Sequence, residues 1–433
     1  MYLRSDAASY YLATARRYTP FATLTGNDEA RVCVVGAGYA GLNTALGLAE
    51  RGVRDVVVLE SEHLGFGASG RNGGFVFSGY SLGEQSLLAQ LGEQRARSLY
   101  KRTIDAVDLI RQRVNNYAID CDAVDEGVYW TNWFRDADVL RSRQRLLADH
   151  FGEQWEWIPH ERLRERVRSE RYSDGLYERN ALHLHPLNYA IGIAHRAVEQ
   201  GVRIRENTPA LRLERRGSGW RVHAAGGFVD AEIVVLACGG YLAGLDRRVD
   251  RAVLPIATYV MATEPLGEAR MTECFGTRAA VYDTRFAFDY YRPLNDTRIL
   301  WGGRISIRDR EPMDVARILK RDLLEVFPQL HDVRIEYAWS GLMSYARHQM
   351  PQLGTRGDGL WWIQAFGGHG VSSTTALGEV LAGAIAGNDP AWREFADYGL
   401  VESFRPLGFV AAEASYLWYR FKDWYKQRRE GQP

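Results

Sequence analysis

Three glycines and a glutamate near the start of the chain have the spacing of a dinucleotide-binding site. Gly36, Gly38 and Gly41 fit the pattern G-x-G-x-x-G, and Glu60 follows Gly41 by 19 residues. In this pattern the first glycine permits a tight turn, the second lets the backbone approach a pyrophosphate, and the third allows a helix to pack on a strand. The helix N-terminus attracts phosphate, and the carboxylate binds ribose hydroxyls. Because Glu60 would repel a 2′-phosphate, the spacing predicts FAD or NAD and disfavours NADP.

The elements around these residues are those of a buried parallel sheet. Residues 31–35, which are apolar after Arg31, and residues 56–59 are typical of strands that are buried on both faces. Residues 39–51 have helical spacing, and Gly52 ends that helix. Similar strands are expected at 231–240 and near 360, far along the chain. A dinucleotide fold interrupted by insertions, without a second G-x-G-x-x-G between strand and helix, favours FAD over NAD and an organic substrate as the electron donor.

The remaining segments predict a second domain. A short helix is expected around 9–16, long helices over 84–116, short antiparallel strands over 201–226, and a mostly antiparallel sheet over 252–340. Residues 359–387 predict a strand, a glycine turn and a helix. The fold class is therefore α/β, more fully α+β with two domains. A Rossmann-like FAD-binding domain with a central parallel sheet is expected from 1–80, 150–250 and 335–390. A substrate-binding domain is expected from 81–149 and 251–334, and a C-terminal helical extension at 391–433.

Composition and charge limit the partners. In 433 residues, Lys plus Arg and Asp plus Glu number 54 each, so no net charge favours nucleic acid or an anionic membrane. No stretch has the ~18 consecutive apolar residues of a membrane span, and no signal-peptide core is found. The four cysteines, Cys33, Cys121, Cys238 and Cys274, form no C-x-x-C pair that would indicate zinc or a disulfide framework. These observations predict a cytoplasmic protein with a small-molecule substrate.

Four segments, in this order, resemble the D-amino acid oxidase superfamily of FAD-dependent amine oxidoreductases. They are VCVVGAGYAGLNTALGLAERG, GFGASGRNGGFV, IVVLACGG and AFGGHGVSSTTALGEVLAG. SYYLATA at 9–15, GASGRNGG at 67–74 and DYYRPLNDTRILWGG at 289–303 are similar to its gamma-glutamylputrescine oxidoreductase branch. The likeness covers nearly the whole chain and implies FAD as the cofactor.

The resemblance also implies which residues hold FAD. Loop 67–74 would lie beside the pyrophosphate and the flavin ring. The helix that begins near Gly370 would point its N-terminus at the flavin pyrimidine oxygen and favour the negative charge that develops there. Ala210 would contact adenine through its backbone, and Cys238 would be a core thiol before two glycines that approach the cofactor. The expected cofactor-binding residues are Gly36, Gly38, Tyr39, Ala40, Gly41, Glu60, Ser61, Gly67, Ala68, Ser69, Arg71, Asn72, Gly73, Gly74, Ala210, Cys238, Gly239, Gly240, Gly341, Gly367, Gly368, His369, Gly370, Val371 and Ser372.

Four side chains are candidates for catalysis. Arg71 is expected to stabilise the reduced flavin or to contact the substrate, the alternative being an exposed loop arginine. His369 is expected to act through its side chain or only through its backbone. Tyr290 and Tyr291 are neighbours on a predicted strand, so only one of them can face the flavin.

Four further residues could belong either to the site or to the core. Trp301 and Arg304 lie on the next predicted strand and have the same ambiguity as the two tyrosines. His183 and His185 form an H-x-H without a third ligand cluster, so we interpret both as structural and expect no metal site.

Two differences from sarcosine oxidases narrow the chemistry. Those relatives have a lysine two residues after the G-H-G that would hold a substrate carboxylate, and Ser372 stands there in this chain. They also have a cysteine ahead of the final strand that bonds the flavin covalently, and residues 344–354 contain none. The resemblance therefore implies noncovalent FAD and favours an extended amine over a small α-amino acid.

The expected activity is oxidation of a C–N bond in an amine or amino acid. The carbon beside nitrogen would deliver hydride to flavin N5, the imine would hydrolyse, and electrons would pass to oxygen or another acceptor. A gamma-glutamylputrescine-like amine is favoured, and sarcosine or a D-amino acid is the alternative. Two other classes stay open: a flavin hydroxylase, whose G-D-A motif is not found, and a structural FAD-binding subunit without its own activity.

Overall fold

The computed structural model describes residues 9–307 and 310–430, which form two eight-stranded sheets and a two-stranded one. The helices of these ranges are α1 (Tyr10–Thr14), α2 (Tyr39–Glu50), α3 (Glu84–Leu91), α4 (Glu93–Asn116), α5 (Asp138–Leu146), α6 (His160–Arg166), α7 (Pro186–Glu199), α8 (Arg247–Asp250), α9 (Gly267–Cys274), α10 (Pro312–Val326), α11 (Gly370–Gly387) and α12 (Leu407–Arg429). The strands are β1 (Gly26–Val35), β2 (Val56–Leu59), β3 (Phe75–Val76), β4 (Val128–Thr131), β5 (Glu156–Ile158), β6 (Gly175–Glu178), β7 (Leu182–His183), β8 (Arg203–Arg205), β9 (Ala210–Arg216), β10 (Gly219–Ala224), β11 (Gly227–Leu236), β12 (Leu254–Thr263), β13 (Ala280–Asp283), β14 (Tyr290–Pro293), β15 (Ile299–Ser306), β16 (Ile335–Tyr345), β17 (Gln352–Thr355) and β18 (Leu360–Gln364).

The first sheet has the order β17-β18-β11-β1-β2-β8, with β9 and β10 attached beside β11. Val32 of β1 lies opposite Val56 of β2 and Ile233 of β11, and all three strands run parallel. All four residues of β2 are buried, which explains its unbroken apolar sequence. Helices α2, α7 and α11 pack together on this sheet. The predicted parallel sheet with its strand–helix–strand unit is confirmed.

The second sheet has the order β16-β12-β15-β14-β13-β4-β6-β5. Its neighbours pair antiparallel, except that β13 and β4 run parallel. Alternate residues face two different cores: Trp130 and Tyr282 face the core shared with the first sheet, whereas Tyr291 and Trp301 pack in a separate core under α10. The second sheet therefore has one face available toward the first sheet's glycine-rich loops.

Most predicted elements are present, with differences that have local causes. The expected helices over 84–116 are α3 and α4, separated by Gly92 with φ of 74°. Strand β8, predicted as antiparallel, pairs parallel with β2 and extends the first sheet. The fold class, two sheets of parallel and mostly antiparallel type with helices, is confirmed. Residues 1–8 and 431–433 of the predicted domain ranges lie outside the described part of the chain. Every helix within that part is too short or too polar to cross a membrane.

Candidate functional site

The turn between β1 and α2 accepts only glycine at two positions. Gly36 has φ of 107°, and a Cβ added there would lie 2.8 Å from the Ala237 carbonyl oxygen. A Cβ added to Gly41 would lie 1.9 Å from the Gly36 carbonyl oxygen. Gly38 is the N-cap of α2 and has no side chain to cap the helix, while the Tyr39 N–H donates to Ser69 Oγ at 2.8 Å. The turn therefore has the close backbone packing that a pyrophosphate site requires.

Glu60 lies at the end of β2, directly beside this turn. Its side chain is 7% exposed, Oε2 accepts from the Ala37 N–H at 2.7 Å, and Oε1 accepts from the Glu62 N–H at 3.0 Å and from Ser61 Oγ at 3.3 Å. Burial raises the pKa of this carboxyl, and these hydrogen bonds oppose the rise. The Thr208 N–H donates to the Glu60 carbonyl at 2.7 Å. The segment leading into Ala210 thus lies next to Glu60, as an adenosine-binding edge requires.

Replacing Glu60 by alanine is expected to weaken FAD binding by about 1–3 kcal/mol, because the buried Ala37 N–H and a ribose hydroxyl would both lose their acceptor. The dissociation constant is measured by quenching of FAD fluorescence on titration with apoprotein. Glu62→Ala is the control, since Glu62 is exposed and contacts Glu60 only through its backbone. Unchanged affinity of Glu60→Ala would remove Glu60 from the site.

The loop at 67–74 is shaped by its own asparagine. Asn72 Nδ2 donates to the carbonyls of Ala68 at 3.0 Å and Ser69 at 2.9 Å, and its Oδ1 accepts from the Gly74 N–H at 2.8 Å. A Cβ added to Gly67 would lie 2.9 Å from the Tyr241 ring. The Asn72 side chain therefore orients the loop amides and is not itself directed outward as a donor.

Arg71 is buried, which excludes the alternative of an exposed loop arginine. It is 4% exposed; Nε donates to the Phe66 carbonyl at 2.9 Å and Nη1 to the Ser340 carbonyl at 3.4 Å. Trp339 Nε1 donates back to the Arg71 carbonyl at 2.9 Å, and a Cβ added to Gly341 would lie 3.2 Å from Arg71 Cβ. Arg71 therefore joins the loop of the first sheet to β16 of the second.

Arg292 is a residue that the sequence did not single out. Its Nε donates to the Gly73 carbonyl at 2.8 Å, and Nη2 donates to the Leu184 carbonyl at 2.8 Å. Gly74 has φ of 80°, and a Cβ there would lie 2.1 Å from the same Leu184 oxygen. Because Arg292 reaches the loop from β14, more than 200 residues away, no local pattern predicts this contact.

The turn after β11 closes on the glycine turn of β1. Cys238 Sγ donates to the Val35 carbonyl at 3.3 Å, and burial raises the pKa of the thiol to about 12. Gly239 follows with φ of 55°, and a Cβ on Gly240 would meet Pro255 at 3.4 Å. Cys238 is thus an inert thiol beside the turn, in agreement with its interpretation as a core residue.

His369 lies just before α11, at the end of the short turn that begins with Gly367 and Gly368. Gly367 has φ of 56°, and a Cβ there would lie 2.2 Å from Ser81 Oγ. The imidazole packs edge-to-face on Phe77 at 4.9 Å, and its buried Nδ1 has no hydrogen-bond partner in the described residues. Burial lowers the pKa of His369 to about 4, so the ring is neutral at physiological pH.

Ser372, in the first turn of α11 after Gly370 and Val371, is 1% exposed. Its Oγ donates to the Phe77 carbonyl at 2.6 Å. The hydroxyl therefore fixes Phe77 against α11, and the position that is lysine in sarcosine oxidases supplies no cation here.

The structure separates Tyr290 from Tyr291. The Tyr290 ring is partly exposed, contacts Phe75 at 5.5 Å, and blocks any Cβ on Gly73, which would lie 2.4 Å from it. Tyr291 is fully buried on the opposite face, stacked on Trp301 at 4.3 Å. Only Tyr290 lies beside the loop at 67–74, so Tyr291 is removed from the catalytic candidates.

The other ambiguous residues belong to the structure of the second sheet. Trp301 packs in the core under α10, and Arg304 Nε donates to Asp322 Oδ2 at 2.7 Å. His183 Nε2 bonds the Arg278 carbonyl at 2.7 Å, and His185 Nδ1 accepts from the Asn188 N–H at 3.1 Å. His183 Nδ1 hydrogen-bonds Arg292 Nη1, and His185 Nε2 hydrogen-bonds Thr14 Oγ1. Every ring nitrogen of the two histidines therefore has a partner within the protein.

A surface cavity of about 950 Å³ lies elsewhere, lined among others by Arg111, Glu156 and Tyr177. It contains none of the predicted site residues, and we do not assign it to the site.

A charged group formed by Glu84, Arg143 and Glu178 lies beside His369, and no sequence pattern predicted it. Those residues come from three distant segments without a shared motif.

The glycine turn, the buried Glu60 and the side-chain-free N-cap of α2 fit the phosphate and ribose groups of FAD. Residues 31–384 match the DAO family, described as FAD dependent oxidoreductase. The chain is 34% identical over 396 residues to the gamma-glutamylputrescine oxidoreductase of Escherichia coli K12, which covers 91% of this chain and 92% of that protein. It is 32% identical over 435 residues to the probable oxidoreductase OrdL of Haemophilus influenzae, covering 96% and 97%. The fold matches glycine oxidase of Geobacillus kaustophilus with a TM-score of 0.70 at 21% identity, covering 86% of this chain and 99% of that one.

The chain therefore belongs to the DAO family of FAD-dependent oxidoreductases. Within that class it is an FAD-dependent oxidoreductase of amines or amino acids that acts on CH–NH or CH–NH2 donors.

Proposed function

We propose that this oxidoreductase binds FAD noncovalently in the cytoplasm and oxidises an extended, gamma-glutamylputrescine-like amine, with oxygen or another acceptor taking the electrons. The observation that supports the substrate is the hydrogen bond from Ser372 Oγ to the Phe77 carbonyl at 2.6 Å. In sarcosine oxidases a lysine at this position would hold a small substrate's carboxylate. A buried serine that is already paired supplies no such anchor, so recognition must depend on groups farther from the reacting carbon.

FAD held by the glycine turn, Glu60 and the loop at 67–74 would supply an acceptor for the hydride from the carbon beside the substrate nitrogen, and the imine product would hydrolyse in water. The protein's part is to bind and orient. Tyr290 and Phe77 provide aromatic walls, and the N-terminus of α11 favours negative charge near it. The neutral His369 adds no charge of its own. Arg71, held between the two sheets, would supply a positive charge beside the bound cofactor.

The proposed cofactor site uses the glycine turn, Glu60, the loop at 67–74, Ala210, the Cys238–Gly240 turn, Gly341 and the turn that begins α11. Noncovalent binding is supported by the placement of the cysteines: Cys33, Cys121 and Cys274 are buried, and the Cys238 thiol is hydrogen-bonded to the Val35 carbonyl.

Acid or heat denaturation of the yellow protein should release all FAD into the supernatant. Flavin that stays with the denatured chain would contradict this.

We infer domain boundaries slightly different from those expected. Strands β5, β6 and β16 belong to the second sheet although they fall in ranges first given to the FAD-binding domain. We assign the first sheet to the cofactor and the second sheet to the substrate, because the proposed site lies where the loops of one meet the inner face of the other.

An anaerobic flavin-bleaching screen tests the proposed function. Polyamines, gamma-glutamylated polyamines, N-methyl amino acids and D-amino acids are each added to the purified holoenzyme, and the loss of the visible flavin band is followed. Extended amines are expected to bleach the flavin fastest. If sarcosine or a short D-amino acid were far faster, the argument from Ser372 would be wrong. If nothing bleached the flavin, a structural FAD-binding role would replace the enzyme.

Tyr290→Phe is expected to slow flavin reduction by about tenfold, equivalent to ~1.4 kcal/mol, without loss of FAD. The Tyr290 ring lies against Gly73, on the face toward the loop at 67–74. Tyr291→Phe is the matched control, because the Tyr291 hydroxyl donates to the Tyr172 hydroxyl at 3.0 Å on the opposite face of the sheet. This variant should be slightly less stable, with an unchanged rate of flavin reduction. Rates come from stopped-flow at 450 nm. Equal slowing in both variants would refute the assignment of Tyr290.

A further inference from the structure

A charged group lies next to His369 in a place that the proposed hydride transfer does not use. We call Glu84, Arg143 and Glu178, with Trp130 and Trp155, the Arg143 cluster. Arg143 Nη2 pairs with Glu84 Oε1 at 2.9 Å. The Arg143 guanidinium carbon lies 4.7 Å from the ring centre of Trp130 and 5.0 Å from that of Trp155. Two indole faces therefore hold the guanidinium in place.

The cluster adjoins the proposed active site through the segment that follows β3. A Cβ added to Gly79 would lie 3.2 Å from Glu84 Oε1 and 3.8 Å from His369 Cδ2, so both side chains flank Gly79. Phe77 contacts the rings of both His369, at 4.9 Å, and Tyr282, at 5.7 Å. Tyr282 in turn stacks on Trp130 at 6.3 Å. A continuous aromatic wall thus connects His369 with Arg143.

Apart from the pair between Arg143 and Glu84, polar atoms of the cluster lack partners within it. Glu178 is 2% exposed, and its carboxylate accepts from Ser78 Oγ at 3.3 Å. Burial raises the pKa of Glu178 to about 8 although the charge of Arg143 opposes the rise. Buried Arg143 Nε, Trp155 Nε1 and His369 Nδ1 have no hydrogen-bond partner among the described residues. Buried polar atoms are nearly always paired in native proteins, so several orphans at one place indicate a ligand.

The chemistry of the cluster selects one kind of ligand. A guanidinium with an unpaired Nε edge suits a carboxylate, and a buried carboxyl without a cationic hydrogen-bond partner suits an ammonium group. A diamine would leave the Arg143 Nε without an acceptor, and a plain dicarboxylate would leave Glu178 without a cation. A group with both charges on one carbon matches both.

We propose that the Arg143 cluster binds the end of the substrate remote from the reacting amine, and that this end is an α-amino-acid group whose carboxylate pairs with Arg143 and whose ammonium pairs with Glu178. The inference rests on the proposed function, since it concerns the far end of the same extended amine. It makes Arg143 and Glu178 specificity-determining residues that do not touch the reacting carbon.

Calorimetric titration of the holoenzyme with three unreactive ligands tests this. N-(γ-L-glutamyl)butylamine has both charges, N-glutarylbutylamine has only the carboxylate, and N-acetylbutylamine has neither, while all three share one tail. The wild type should bind the glutamyl ligand at least about tenfold more tightly than the acetyl ligand. Arg143→Gln should bind the glutamyl and glutaryl ligands no more tightly than the acetyl ligand. Glu178→Gln should lose only the preference of glutamyl over glutaryl.

Arg141→Gln is the matched control. Arg141 lies on the same helix, is exposed, and has its guanidinium 5.3 Å from the Trp157 ring centre, so its removal should preserve all three affinities. FAD content reports folding, and the isosteric Glu178→Gln keeps the test decisive if Arg143→Gln does not fold. Equal binding of the three ligands by the wild type, or equal weakening of all three in Arg143→Gln, would overturn the inference.

The ligands lack the reacting amine, so the two proposals fail separately. A preserved glutamyl preference with no bleaching by any amine would overturn the proposed reaction alone. Bleaching by extended amines with equal binding of the three ligands would overturn the inference alone.

Discussion

Gly41→Ala is expected to leave the protein without FAD. The added Cβ would lie 1.9 Å from the Gly36 carbonyl oxygen and 3.2 Å from Val34 Cγ1, and the first of these is a backbone atom that cannot rotate away. Helix α2 must therefore move off β1, and the turn that would face the pyrophosphate opens. Overpacking alone costs about 1–3 kcal/mol. Because the displaced backbone is the proposed phosphate site, we expect FAD affinity to fall by more than about 100-fold.

The measurement is the ratio of absorbance at 450 nm to that at 280 nm after purification, followed by titration of FAD into the apoprotein. Gly387→Ala is the control: it adds the same methyl group at the exposed end of α11, where nothing lies within 4 Å of the new Cβ. That variant should keep a full complement of FAD and gain slightly from the better helix former. A yellow Gly41→Ala protein with normal affinity would show that the turn is not the cofactor site.

Arg113→Met is expected to lower the free energy of unfolding by about 3 kcal/mol. Arg113 on α4 is 2% exposed; Nη1 donates to Asn43 Oδ1 at 2.9 Å, and Nη2 pairs with Glu50 at 2.7 Å and also with Glu379. It thus joins α4 to α2 and α11. Its loss leaves Glu50 without its cation, while Glu379 keeps its ion pair with Arg51 at 2.8 Å. Breaking buried ion pairs costs about 3–5 kcal/mol. We take the lower end because both carboxylates are about a fifth exposed, at 23% and 21%.

The melting temperature followed by circular dichroism, with excess FAD in every sample, checks this expectation. Arg111→Met on the same helix is the control: Arg111 pairs with Asp108 and Asp125, each about half exposed, so its loss should cost less than about 1 kcal/mol. Equal shifts in the two variants would mean that the Arg113 network does not stabilise the packing of α2, α4 and α11.

The glycine turn and the fold class around it could be predicted from the sequence. The spacing of Gly36, Gly41 and Glu60 is a local property, since the residues belong to one strand–helix–strand unit and their geometry follows from short-range backbone sterics. The sequence also predicted that β1 and β2 lie in a parallel sheet, because strands buried on both faces must be apolar throughout. The resemblance of several segments in order then implied the oxidoreductase family.

The surroundings of that turn became apparent only from the folded chain. Alternation along β14 showed that one of Tyr290 and Tyr291 must face each side, but the packing of Tyr291 on Trp301 was needed to say which. Arg292 reaches Gly73, and Arg143 meets Glu84 near His369, through contacts between segments far apart in the chain. Such contacts depend on how two sheets pack and not on the residues adjacent in sequence. No local pattern distinguishes such an arginine, because one that packs between two tryptophan rings has the same sequence letter as one in solvent.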